Sequence, residues 1–238
     1  LALCFLGAIF SGQQFFQSYL FAYVFWLGIA LGCLGIIMLH NLSGGGWGVA
    51  IHGLLESGMN TLPLLALLFL PLLLGLEHLY EWARPETVAK DLFLQHKAAY
   101  LNLPFFLIRA ALYFAFWIGA AMALNRWSKQ AEEADLGAAS RLRAVSGPGL
   151  VIYVLTITFA SMDWIMSLEA HWYSTIFGVH FLGGHALAAL AFAILFSALL
   201  SRDAPAETIP ALHQLDLGNL LLGFVMLWAY FALSQWLI

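Results

Sequence analysis

The chain has 238 residues, 63% hydrophobic and 9% charged, with a net charge of −4 and a mean hydropathy of +0.88. This composition excludes a water-soluble globular domain, whose helices would each carry a charged face, and the lack of any basic patch excludes a nucleic-acid interface. Apolar residues fall instead in blocks long enough to cross a hydrocarbon layer of ~30 Å, as expected of an all-α, polytopic transmembrane bundle.

Residues 1–11 read as the end of a leading helix. No positively charged segment precedes them and the chain stops at Ile238 inside an apolar run, so both termini are expected to be truncated. After the polar turn Ser11-Gly12-Gln13-Gln14, a span is predicted from about 18 to 40 and broken by Asn41-Leu42-Ser43-Gly44-Gly45-Gly46, because consecutive glycines favour turns. A long helix is predicted from Trp47 to about Trp82, with Glu77, His78 and Glu81 marking its exit from the apolar layer. Arg84 to Ala99 reads as a charged surface segment with Pro85 in the first turn of an interfacial helix.

Tyr100 to Trp127 is the next predicted helix, and the charged stretch after it divides the chain. The first transmembrane half covers 1–127, a charged loop 128–147, and the second half 148–238, incomplete at its C-terminus. Gly147-Pro148-Gly149 is expected to open a helix ending near Asp163, and another helix runs from about Trp172 to Leu200. Ser201 to Gly218, with Pro205 and Pro210, reads as a loop before a last helix starting near Asn219, giving six complete spans and one partial. Loop cations (Arg126, Lys129, Arg141, Arg143 and Arg202 against Arg84, Lys90 and Lys97) place the 128–146 loop in the cytoplasm.

Ionisable residues within such spans point to function, because their burial is not recovered by packing alone. His52, Glu56 and Asn60 recur every four positions and form one polar stripe, either a solvated surface turn or a proton or substrate route. Asn102, Phe106, Arg109, Tyr113 and Trp117 share a face of their helix. Arg109 lies well inside the apolar stretch, so it should face inward and find a carboxylate or carbonyl, with Glu56, Asp163 and Glu169 as candidates. A structural ion pair and a functional one demand the same geometry here.

The run Met162-Asp163-Trp164-Ile165-Met166-Ser167-Leu168-Glu169-Ala170-His171-Trp172-Tyr173 sets two carboxylates and an imidazole between apolar segments. Six residues separate Asp163 from Glu169, which puts them on different faces of a continuous helix, so the run is expected to contain a helix end. Imidazoles titrate near neutrality, and His171, His180 and His185 suit proton relay, although His180 and His185 are about 140° apart around a helix and do not serve one site together. No ligand set with haem or metal spacing exists, and Cys4 and Cys33 read as buried small hydrophobes, so no cofactor is expected in this chain.

Several stretches together carry a resemblance. Tyr19-Leu20-Phe21-Ala22-Tyr23-Val24-Phe25-Trp26, Met38-Leu39-His40-Asn41-Leu42-Ser43-Gly44-Gly45, Thr61-Leu62-Pro63-Leu64-Leu65, the Met162 to Phe177 run and Trp228-Ala229-Tyr230-Phe231-Ala232-Leu233-Ser234-Gln235 resemble the quinone-binding subunit 2 family of alternative complex III (quinol:cytochrome c oxidoreductase), which is related to NrfD-type membrane subunits of polysulfide reductase. The resemblance implies NrfD-like four-helix bundles in a multi-pass protein of the bacterial inner membrane. It implies as partners a sister NrfD-type subunit, an iron–sulfur subunit and cytochrome c subunits, which carry the iron–sulfur clusters and haem c. It leaves open whether this chain binds quinone, since quinol oxidation in such complexes can reside in the sister subunit.

Asp163, Glu169 and His171 match the family motif itself, whereas His52, Glu56, Arg109 and His180 are proton-path candidates chosen by spacing, depth and chemistry. Ala170 stands where the family motif has proline. The expected function is therefore an anchoring, proton-conducting subunit of a quinol oxidoreductase. The alternatives are a proton-coupled transporter acting alone, against which the confinement of Pro63, Pro71 and Pro104 to the first half argues, and a purely structural anchor.

Overall fold

A computed structural model describes residues 12–132, 137–203 and 210–237, and every regular element among them is a helix. In chain order these are α1 (Gly12–Ser43), α2 (Gly46–Met59), α3 (Leu62–Leu74), α4 (Leu76–Leu79), a 3₁₀ turn (Glu81–Ala83), α5 (Pro85–Lys90), α6 (Leu92–Lys97), α7 (Leu103–Glu132), α8 (Ala138–Trp164), a second 3₁₀ turn (Met166–Leu168), α9 (Phe177–Asp203) and α10 (Ala211–Leu237). Six segments among the described residues are long and apolar enough to cross a membrane: α1, α2 with α3, α7, α8, α9 and α10. The predicted leading helix at 1–11, with Cys4, lies outside the described residues, as do Glu133, Asp135 and Pro205.

The predicted helix from Trp47 to Trp82 is in fact interrupted twice. Pro63 has no N–H for the carbonyl of Met59 and its ring crowds that position, so α2 stops and α3 starts afresh. Asn60 N–H still reaches Glu56 O at 3.0 Å and Thr61 N–H tightens onto Gly58 O at 3.2 Å, which leaves few broken bonds at the joint. Gly75 makes the second break, and α4 to α6 then run along one end of the bundle.

Of the segment 128–147, expected as a charged loop, residues 128–132 and 138–147 are helical. A 30-residue helix is about 45 Å long, well beyond the ~30 Å hydrocarbon layer, so the polar ends of α7 and α8 project past it rather than unwinding. Pro148 accordingly lies inside α8 instead of opening it. This corrects the reading that no proline interrupts a span in the second half, and the argument it supplied against a transporter falls. The last helix likewise begins at Ala211, earlier than Asn219, directly after Pro210.

At the bundle's centre, α1 packs against α2, α3, α8 and α9. Side chains cannot intervene where α1 meets α9, because a Cβ on Gly28 would strike the His185 ring and one on Gly32 would strike the His185 carbonyl oxygen and Ala189. Small residues draw helix backbones together in this way where lipid offers no hydrophobic drive. Hydroxyls inside the layer are satisfied by carbonyls of neighbouring helices: Tyr19 Oη donates to Leu68 O at 2.8 Å, Tyr23 Oη to Leu65 O at 3.0 Å, and Tyr153 Oη to Leu31 O at 2.7 Å. At the periphery, α10 exposes Leu222, Met226, Tyr230 and Trp236, a largely apolar surface. Gly44 and Gly45, with φ of 71° and 104°, turn the chain between α1 and α2 in backbone conformations that disfavour a Cβ.

Candidate functional site

The end of the bundle that carries α4 to α6 and residues 165–176 also holds a buried ion pair. Arg109 projects from α7 and Asp163 from the last turn of α8, two antiparallel helices whose register is repeated deeper by Trp117 Nε1 donating to Thr156 Oγ1 at 2.9 Å. Arg109 Nε donates to Asp163 Oδ2 and Nη2 to Oδ1, both at 2.8 Å, which is the bidentate fork that guanidinium and carboxylate favour. Tyr113 Oη adds a third bond to Oδ2 at 2.8 Å. The Asp163 side chain is 1% exposed and that of Arg109 8%.

Of the three acids expected to meet Arg109, Asp163 takes the place. Glu56 lies beside His52 and Glu169 is exposed on the loop. Arg109 is only six residues from the start of α7, about 9 Å along its axis, so it sits in the outer half of the layer rather than near the centre. Its remaining contacts are with Tyr100, which precedes α7, and Phe105 in the first turn of α7. Nη1 donates to Tyr100 O at 3.0 Å, and the guanidinium lies 3.9 Å from the Tyr100 ring centre and 4.3 Å from that of Phe105. The Tyr100 hydroxyl comes close to Asp163 and Tyr113 without completing a hydrogen bond of ordinary geometry. Burial, and next the Asp163 carboxylate, push its phenol well above the usual range.

Aromatic side chains close the inner side. Trp164 packs 4.9 Å from Phe69 and 5.8 Å from Phe114, ring centre to ring centre, while Tyr80 Oη donates to Trp164 O at 3.0 Å. Burial raises the Tyr80 phenol strongly, and Asp163 adds to it. At the end of α8 Ser167 Oγ bonds Asp163 O at 2.5 Å. The expected helix end within the Asp163 run is present, since α8 stops at Trp164 and Ile165 leads into the 3₁₀ turn.

His171 points away from Asp163 toward the surface. Its Nε2 lies 2.8 Å from Asp91 Oδ2, and its ring stacks on Phe93 with centroids 5.0 Å apart. Asp91 caps α6, accepting from Phe93 N at 2.8 Å and Leu94 N at 3.4 Å. Desolvation works against this carboxylate, but those N–H groups and then His171 outweigh it and hold it below the usual range. Lys97 Nζ, whose ammonium is disfavoured by burial, donates to Ala170 O at 2.7 Å.

The other candidates form separate groups. His52 Nδ1 is 3.6 Å from Glu56 Oε1, and Asn60 ends the stripe in a short hydrogen bond with Asn125 of α7. This stripe starts about 9 Å from the opposite end of the bundle, so it does not share the Asp163 site. His40 lies between this stripe and the α1–α2 turn, its ring 6.3 Å from that of His52 and its Nε2 2.9 Å from Gly45 O. His180 stacks on Trp228 at 5.1 Å, and His185 is buried against Phe181 and Gly28 with both ring nitrogens unpartnered. Among the described residues no three His, Cys, Asp or Glu converge as metal ligands.

Two site residues lay outside the sequence expectation. Tyr100 precedes its helix and belongs to no periodic face, whereas Asp91 is signalled as a helix cap by the Leu92 to Lys97 run behind it. No family model and no curated protein matches the chain.

Proposed function

We propose that this chain is an integral membrane subunit of a quinol:electron-acceptor oxidoreductase of the alternative complex III type, anchoring the assembly and moving protons through its bundle. The multi-pass helical architecture and the motif resemblance support the class. One observation carries the site: a bidentate Arg109–Asp163 pair, joined by Tyr113, is buried where α7 and α8 meet the surface helices.

In the arrangement present, Asp163 accepts three hydrogen bonds and has little to offer a passing proton. Relay therefore requires the pair to part. A proton bound at either Asp163 oxygen removes the charge that holds Arg109, and the guanidinium keeps the Tyr100 carbonyl and the two rings as its remaining partners. Loss of the proton to the other side restores the fork. Proton transfer is thereby coupled to a side-chain movement, the property a gated path needs. The His52–Glu56–Asn60 stripe at the other end would supply a second polar entry, with His171, His180 and Glu169 on the near side.

The test is to purify the native assembly through a tag on this chain and identify what accompanies it, then to follow quinol oxidation and proton uptake in vesicles carrying Asp163→Asn. The expected result is a sister multi-pass subunit with iron–sulfur and haem c proteins, and a variant slowed in turnover or in proton uptake. Isolation without redox partners favours a transporter. A redox assembly whose variant keeps wild-type rates makes Asp163 structural.

A further inference from the structure

We infer that Asp91 and His171 form a pH-responsive latch, which holds residues 91–102 as a lid over a cavity beside the Arg109–Asp163 pair. This concerns regulation of the site proposed above but rests on its geometry, so the test reads access to the cavity and not turnover.

The cavity, of about 270 Å³, is bounded on one side by Lys97 and Tyr100 of the lid and on the other by Met162, Ser167, Ala170 and Trp172. Two polar contacts tie these walls together: Asp91 to His171 at 2.8 Å and Lys97 Nζ to Ala170 O at 2.7 Å. Phe93 lies between them, stacked on His171 and 4.2 Å beneath the Lys97 ammonium. The lid has a direct hold on the buried pair, because Tyr100 supplies both a carbonyl and a ring face to Arg109. Movement of the lid would thus change the cavity and the surroundings of Arg109 together.

Of the two tethers, the one through His171 is the one that depends on an imidazole, the side-chain type that ordinarily exchanges its proton near neutrality. Asp91 is paired with His171 and Lys97 lies over the Phe93 ring on which it stacks; Glu86 and Lys90 of α5 share a surface hollow with Asp91, His96 of α6 bonds Leu92 O, and Glu169 stands two residues before His171 on its own loop. Among the described residues Asp91 is the one at ion-pair distance from His171. Because Asp91 is held below the usual carboxylate range, it stays ionised at neutral and mildly acidic pH. The latch is tight when His171 carries its proton and slackens when it does not, because an imidazolium–carboxylate ion pair gives way to a hydrogen bond from a neutral imidazole to the same carboxylate.

Ser167→Cys places a thiol in the cavity wall, and its labelling by a small water-soluble reagent in sealed vesicles, corrected for the parent chain's own cysteines, measures access. The rate is compared between this background and the same background with His171→Gln at each pH, so that the thiol's own pH dependence cancels. Because the ion pair is partly exposed, the variant is expected to label about three- to fivefold faster at a pH of about 6 and at nearly the same rate at about 8.5. Asp91→Asn, which still caps α6, should behave like His171→Gln, while His171→Arg should stay slow at both pH values. Equal rates at the lower pH, or a rate ratio independent of pH, would overturn the latch. If His171→Gln does not fold, the Asp91→Asn and His171→Arg pair decides it alone.

Discussion

Breaking the Arg109–Asp163 pair from one side should be far more damaging than removing it whole. In Asp163→Leu, Arg109 loses two charge-assisted bonds and keeps one carbonyl and two aromatic faces, while Tyr113 keeps a hydroxyl with nothing to donate to. An uncompensated buried charge of this kind costs about 3–5 kcal/mol, and an orphaned hydroxyl accounts for ~1–3 kcal/mol of that range. Arg109→Leu leaves the carboxylate with Tyr113 as its donor and falls in the same range. The double variant removes both charges and fills the space with apolar atoms, a replacement that is often neutral or better, so only the Tyr113 hydroxyl and the Tyr100 carbonyl remain to be satisfied. We therefore expect the double variant within about 2 kcal/mol of the parent and an interaction energy of about 3 kcal/mol or more. Unfolding of the purified protein in detergent, followed through the fluorescence of Trp164 and Trp117 beside the pair, measures all four corners of the cycle. If the double variant is destabilised by the sum of the two singles, the pair is not coupled as the geometry requires and the reasoning fails.

Two further substitutions probe the contact of α1 with α9. Gly32→Ala would drive a methyl group into the His185 carbonyl oxygen, a backbone atom that cannot turn aside, so a loss of about 1–3 kcal/mol is expected in the same unfolding assay, and an unchanged midpoint would mean that the helices are further apart. His185→Leu should leave stability unchanged or raise it by up to ~1 kcal/mol, because both ring nitrogens are buried without partners; a clear drop in the midpoint would reveal a hydrogen bond that the present geometry lacks.

The reason some of this was legible in the sequence and some was not is physical. Apolar length announces a span, because nothing else in a chain needs so many hydrocarbon-compatible residues in succession, and the six spans emerged on that ground. Cost announced Arg109: a guanidinium in that layer must meet an acid or a carbonyl, which reduced its partners to three acids and left tertiary structure to choose among them. Its α7 neighbour Tyr113 shares the face four residues on, so periodicity had already aligned the second donor to Asp163. Charge density, by contrast, misled at 128–147, since charges mark where a helix leaves the hydrocarbon and not where it stops. Proline at 148 misled in the same way, because the helix could begin in water ten residues earlier and absorb it.

The surface helices were the least legible part, and the consequence reaches the candidate site. A six-residue helix has too few positions for a periodic signal, so nothing in the order of residues 91–102 states that Asp91 meets His171 or that Tyr100 lies over Arg109. The run around Asp163 sets two acids and an imidazole close together in sequence, and the end of α8 at Trp164 sends them to different places: Asp163 inward to Arg109, Glu169 into the open, His171 out to Asp91. A continuous helix would have kept Asp163 and Ser167 on one face, but residues beyond the break are placed by whatever they can pair with. The buried pair and the surface latch are thus the two ends of one short segment, separated by a 3₁₀ turn whose Ser167 lines the cavity between them. Any change that lengthens α8 past Trp164 is therefore expected to disturb both together.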